Sequence, residues 1–285
     1  IFRVRRNLNF QRRFVMRVIT RIIIFLLLTG LTAMAVFGQS TAFHFRPERV
    51  AVGTAYHYLK TNTDGSKPES ISLYIASPSR IESFKFHEKG TQAGLVTAEM
   101  DWAGFFPKKL ESFQVFSKDD RRLFATLTYQ PYSREVDVLI PALKPEKESA
   151  RIERLPFHLY NFDLASLNVS FPHLRDPKKP FVIGIADPTF KPDGPMFAYR
   201  GVLNIRYLRD ETHNGEPCRL YEATGSGIGG RGVIWVNKKG GYVEDMEFDV
   251  ANNPDWKTFK LKLLKKEKLT PGGWQSFIAS HFQVQ

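Results

Sequence analysis

The chain has 285 residues, 42% of them hydrophobic and 25% charged, a composition that excludes a disordered or collagen-like polymer. Lysine and arginine total 41 against 29 aspartate and glutamate, a formal charge of +12. Seven arginines (Arg3, Arg5, Arg6, Arg12, Arg13, Arg17 and Arg21) fall in residues 1–38, which hold no acid, so the other 247 residues carry 34 basic against 29 acidic side chains. A body so nearly balanced does not read as a nucleic-acid binder.

The first element is an export signal over residues 1–38. From Met16 the chain runs through a charged MRVITR, an apolar Ile22–Leu28 and a small-residue region. Val36-Phe37-Gly38 before Gln39 is the favoured cut, and Ala33-Met34-Ala35 is the other. The alternative is an uncleaved anchor, for which the 17 uncharged residues from Ile22 to Gly38 are short against the roughly 20 a bilayer span needs. Residues 1–15 precede a good start methionine and read as a mis-set start or an extended n-region. The expectation is a bacterial periplasmic or secreted protein with no stable membrane span after cleavage. Its single cysteine, Cys218, cannot form an intramolecular disulfide and lies far from the cut, so lipid modification there is excluded. Residues 39–285 are expected to form one β-rich domain, with two halves joined at 141–156 as the alternative division.

Along that body, apolar residues recur with period two. Ile71, Leu73 and Ile75 alternate with Ser72 and Tyr74; Leu123, Ala125, Leu127 and Tyr129 alternate with Thr126 and Thr128. Val136, Val138 and Ile140 follow. Pro141–Pro156 is charged and proline-bounded, and reads as a linker or short surface helix. Asp163 is placed to cap a short helix carrying Leu164, Leu167 and Phe171. The Asn168-Val169-Ser170 sequon lies on that helix. Asp187–Pro195 is a long loop. Leu203, Ile205 and Tyr207 resume the alternation, as do Met246, Phe248 and Val250, and then Phe259, Leu261 and Leu263. Asp64-Gly65, Asn214-Gly215 and Lys239-Gly240-Gly241 are hairpin turns. Trp274–Phe282 reads as a second short helix. The fold class is mainly β: a strongly curved antiparallel sheet, or incomplete barrel, with one or two short helices packed on or in it and no βαβ spacing. Thirty-eight aromatics can line a cavity or fill a core, and composition does not choose between them.

Motifs for chemistry are sparse. Gly225–Gly230 fits G-x-G-x-x-G, but a strand follows it where a dinucleotide loop needs a helix, so it reads as a turn. The seven histidines are scattered without metal-ligand spacing, and no metal or cofactor is expected. The lysine at position 60 and Ile71 stand where a calcium loop from 60 to 71 needs carboxylates. Glu244, Asp245, Glu247 and Asp249 read as a solvated strand face paired with Lys260 and Lys262.

Three segments carry a resemblance: Tyr160–Leu174, with its D-L-A-S-L helix; Arg200–Tyr221, with G-x-P-C; and Gly232–Leu264, with an I-W-V strand, a turn and an amphipathic strand pair. Together they resemble an uncharacterised class of exported bacterial β-domains, similar in architecture to periplasmic lipoprotein carriers of the Lol-type half-barrel. The resemblance covers about half the mature chain and brings no catalytic residues. It implies a concave sheet that shields a lipid or lipidated protein, without enzymatic activity. The aromatic residues beside turns (Trp102, Phe105, Phe106) and Trp235 are then expected near the ligand, with Leu164, Leu167 and Phe171 as plug or lid. One rival is a cell-envelope interaction module with a filled barrel and a protein partner. The other is an envelope hydrolase in which Asp101, His158 and Asp163 converge.

Overall fold

The computed structural model describes residues 42–86, 92–117, 119–189 and 194–282. The expected signal segment lies outside them. Fifteen strands form a single sheet. In chain order they are β1 (Thr54–Thr61), β2 (Glu69–Ile75), β3 (Arg80–Phe86), β4 (Ala93–Asp101), β5 (Phe106–Val115), β6 (Arg121–Gln130), β7 (Glu135–Leu139) and β8 (Glu148–Arg151). They continue as β9 (Phe157–Leu159), β10 (Phe181–Pro188), β11 (Phe197–His213), β12 (Glu216–Gly225), β13 (Gly230–Asn237), β14 (Val243–Phe248) and β15 (Phe259–Lys268). Helix α1 (Ala165–Ser170) lies between β9 and β10, and α2 (Pro271–Ser280) follows β15.

The sheet is two antiparallel meanders joined at their first and last strands. Strands β1 to β8 run outward one way, β15 to β10 the other, and β1 pairs with β15 at the centre. Tight turns make this possible: Asn214 and Gly215, with φ of 50° and 83°, close the β11–β12 hairpin with the positive dihedrals that a two-residue loop requires. Residues 225–230 form the β12–β13 connection, and no helix follows.

One pair breaks the antiparallel rule. Strand β9 runs parallel to β10, so β9–α1–β10 is a βαβ unit, contrary to the reading of an all-hairpin chain. A parallel pair needs a long crossover, and here the crossover carries α1. Its six residues are only about 9 Å long, yet its neighbourhood touches strands far apart in the sheet. Asn168 donates to the Tyr58 hydroxyl on β1 at 2.7 Å, and its Oδ1 accepts from the Val243 N–H on β14 at 2.9 Å. Phe171, at its end, packs on Tyr221 of β12 and Phe181 of β10. In a flat sheet β1 and β10 would stand about 29 Å apart. The sheet therefore curls around α1. Asn168 is buried in this role, which leaves the sequon no surface on which to act as an acceptor.

Asp163 does not cap α1. The residue at the cap position is Leu164, and both residues hold positive φ of 52° while the Asp163 carboxylate pairs elsewhere. Residues 141–156 hold no helix; they carry β8, an edge strand. Leu123 is out of phase with Ala125 and Leu127 because a β-bulge makes Phe124 an extra residue, which turns Leu123 outward to 52% exposure.

Both faces of β1–β5 are covered. The concave face meets α1 and the main core, while the convex face has a second core under α2. Trp274 stacks on Tyr74 and donates its indole N–H to Glu82 at 2.7 Å. Tyr74, read from alternation as a wet residue, is thus buried. Thr270 caps α2 by accepting from the Gly273 N–H. No described helix is long and apolar enough to cross a membrane. Ala42–Gln285 make up one compact unit.

Candidate functional site

Most of the concavity is filled, but an apolar hollow remains. It lies where the inward faces of β4, β5 and β6 meet the chain from Leu159 to Phe162. Val96, Leu110, Ala125, Leu127, Ile140, Leu159 and Phe162 make an apolar lining around about 180 Å³, and the hollow opens on one side. The β6 bulge adds Phe124 to the wall. The space exists because small residues stand where bulky ones fill the rest. Ser112 sits between Val96 and Ala125 in the cross-strand row, and Gly94 opposes Lys85. A Cβ built at Gly94 meets no atom within 4 Å.

Lys85, Ser112 and Asn161 supply the polar part of the wall. The Lys85 ammonium donates to the Asn161 carbonyl at 2.9 Å and pairs with the Asp163 carboxylate. Asp163 also accepts from the Asn252 amide at 2.7 Å and lies 3.7 Å from the Lys60 ammonium. Lys60 is 2% exposed, lies over the Trp256 ring and bonds Glu69 at 3.1 Å. Beside this cluster, Asp187 accepts from the Asn161 N–H at 2.7 Å and from Arg200 at 2.8 Å. Burial, opposed by those two donors and by the Arg200 charge, pushes the Asp187 pKa up to about 6. Buried charges tolerate such a site only when paired and hydrogen-bonded, and here the pairs fix residues 160–163 in the shape that begins α1. The left-handed backbone at Asp163 and Leu164 is strain held in place by those bonds.

None of the seven residues expected near a ligand lines this hollow. Trp102 and Phe105 meet at the other end with His173, where Phe43 stacks on Phe105 and Phe45 on Trp102. Trp102 borders a cavity of only about 30 Å³ there, room for a water or two and no lipid chain. Phe106 packs on Tyr129 and Phe157. Leu164 and Leu167 are fully buried, and Phe171 nearly so, which makes α1 a strut in the core. Trp235 stacks on His213 at 4.1 Å and donates to Glu211. Phe105, Phe106, Leu164, Leu167 and Phe171 share the main core, with Trp102 packed against it, and Trp235 stands apart. The strand alternation marks Leu110, Ala125 and Leu127 as inward, but the hollow becomes visible only when the register sets Gly94, Ser112 and Ala125 on neighbouring strands.

Asp101, His158 and Asp163 keep separate partners. Asp101 accepts from the N–H groups of Ala103 and Gly104 in its own turn. His158 bonds the Ser166 hydroxyl at 2.7 Å and is wholly buried, which depresses its pKa to about 3. Asp163 serves Lys85 and Lys60. Among the described residues, no group of three His, Cys, Asp or Glu is placed to hold a metal ion. Cys218 is a buried free thiol, pushed up to about 11, chiefly by burial.

No protein-family model and no curated protein matches the chain. Among solved structures, it is similar to one from Vibrio parahaemolyticus described as an outer membrane lipoprotein-sorting protein domain. The likeness spans 79% of this chain and 89% of that one, at 12% identity and a TM-score of 0.29. That description is of the class that the sequence resemblance names. At such a score the likeness carries no functional argument, so the residues of this chain must carry it.

Proposed function

We propose that the protein is a non-enzymatic component of the bacterial envelope, exported to the periplasm, that binds a hydrophobic ligand in the hollow between β4–β6 and residues 159–162. The supporting observation is an apolar space of about 180 Å³ left open in an interior that is otherwise closely filled. For comparison, a cavity of roughly 150 Å³ holds a benzene ring. The space suits one segment of a chain and is too small for several acyl chains together. If it takes about six methylenes, at about 0.8 kcal/mol each the gross gain is about 5 kcal/mol. Association alone costs at least about 4 kcal/mol, so a useful affinity needs contacts outside the hollow or a polar anchor at its wall.

The test is native mass spectrometry of the protein purified from its own envelope, with organic extraction of what it carries. Gly94→Phe is the informative variant, because its ring has open space to enter and would occupy the hollow. Loss of a co-purifying lipid in that variant supports the reading. An apo mass in the parent, with no uptake of added lipid, sinks it.

The filled interior around α1 favours a second reading, an envelope interaction module that holds a protein partner on its surface. A specific partner recovered from the envelope, with binding unchanged in Gly94→Phe, would favour it over the first.

A further inference from the structure

We infer that the hollow takes a single-chain amphiphile with an anionic head, the carboxylate of a fatty acid, its chain against Leu110, Leu127 and Ile140 and its head at Lys85. This rests on the ligand-binding reading above and names the class of ligand. Three observations lead to it. The first is volume: a mostly apolar space of about 180 Å³, sized for one chain segment.

The second is where the polarity sits. Apart from Asn161, the polar lining is Lys85 on β3 and Ser112 on β5, on the two strands flanking β4. Gly94 on β4 puts no side chain beside Lys85, so a head group there has the Gly94 gap to itself, with Ser112 one pair further along opposite Val96. Ser112 adds a hydroxyl to that wall. Lys85, though paired with Asp163, still lines the hollow, and a charged donor there bonds an anionic head more strongly than a neutral one.

The third is that Lys85 has capacity to spare. An ammonium has three donors, and Lys85 uses two, on the Asn161 carbonyl and on Asp163. Asn252 and Lys60 serve the Asp163 Oδ1 and Lys85 its Oδ2, so Lys85 stays on Asp163 and offers its third donor to an incoming carboxylate. By contrast, Lys60 is spoken for by Glu69, Asp163 and Trp256, and Arg200 by Asp187.

The experiment is calorimetric titration of the envelope-purified, delipidated protein with lauric acid, its methyl ester and a lysophosphatidic acid of the same chain length, at neutral pH. The expected result is binding of the acid about tenfold or more tighter than the ester. That preference should vanish in Lys85→Met with ester affinity kept, and survive in Lys85→Arg. Equal affinity for acid and ester in the parent overturns the inference, as does a preference that persists in Lys85→Met. Binding of the phosphate-headed lipid without binding of the fatty acid also overturns it. The acid-to-ester ratio in the parent decides the matter even if Lys85→Met fails to fold. If no lipid binds at all, the ligand-binding reading itself has failed; if the ester binds as well as the acid, only the anionic head is lost.

Discussion

His158 and His173 are both buried, and burial is the first cause that lowers their pKa values, to about 3 and about 4. In the unfolded chain each titrates near 6.5. As pH falls below that value the unfolded state takes up protons that the native state refuses, so the stability present above pH 6.5 is lost on acidification. Asp187 acts the other way. Its native pKa of about 6 lies above the unfolded value of about 3.9, so between those limits acid favours the folded form. His57 and His281, also lowered chiefly by burial, add to the histidine side, and Asp245, raised chiefly by burial, adds to that of Asp187; the histidines outnumber the acids, so stability falls on acidification. Urea unfolding at pH 7, 6, 5 and 4 should show a falling midpoint, and His158→Gln should flatten the trend. A midpoint that rises on acidification would contradict these assignments.

At the scale of elements, α1 is expected to behave as core. Leu167→Ala should cost about 2–5 kcal/mol and Trp274→Ala on α2 about 3–5 kcal/mol, measured by denaturant unfolding. The Trp274 change also leaves the buried Glu82 carboxylate without its indole donor. Gly94→Phe, in contrast, should unfold no earlier than the parent, because a strand glycine gives way to a residue that favours strands in open space. The same elements show what can be read from a sequence. Long strands such as β2, β6 and β15 are legible because alternation persists over several residues. Strand β9 has three residues and no alternation to show, so the parallel pair and its βαβ unit stay hidden. The helix at Leu164–Phe171 is legible from its apolar spacing. The role of Asp163 is not, because Lys85, Lys60 and Asn252 reach it from distant parts of the chain. Aromatics beside turns suggest a ligand site, yet here they close one end of the interior. The hollow is made by side chains that are small, and an absence is legible only once strands have neighbours.

For the whole molecule, the decisive contact is the β1–β15 seam. Among the described residues it is the only strand pairing that joins the two meanders. The Tyr74 hydroxyl, which donates to the Leu269 carbonyl 195 residues away, belongs to the same closure. A chain ending at Asp255 keeps most of its hairpins but loses the seam, α2 and the cover of the second core. It should give no cooperative unfolding transition and should bind a dye for exposed apolar surface. A sharp transition in that fragment would show that the arms stand independently.

The seam also sets a schedule. At a synthesis rate of about 5–20 residues per second, β1 leaves the ribosome on the order of ten seconds or more before its central partner exists. During that time its second edge has no strand to pair with, and the curl of the sheet around α1 lacks its middle. Because β15 follows every other described strand, the sheet stays unfinished until β15 has been made. On the export route proposed above, which passes the chain across a membrane as an open thread, that delay keeps it threadable.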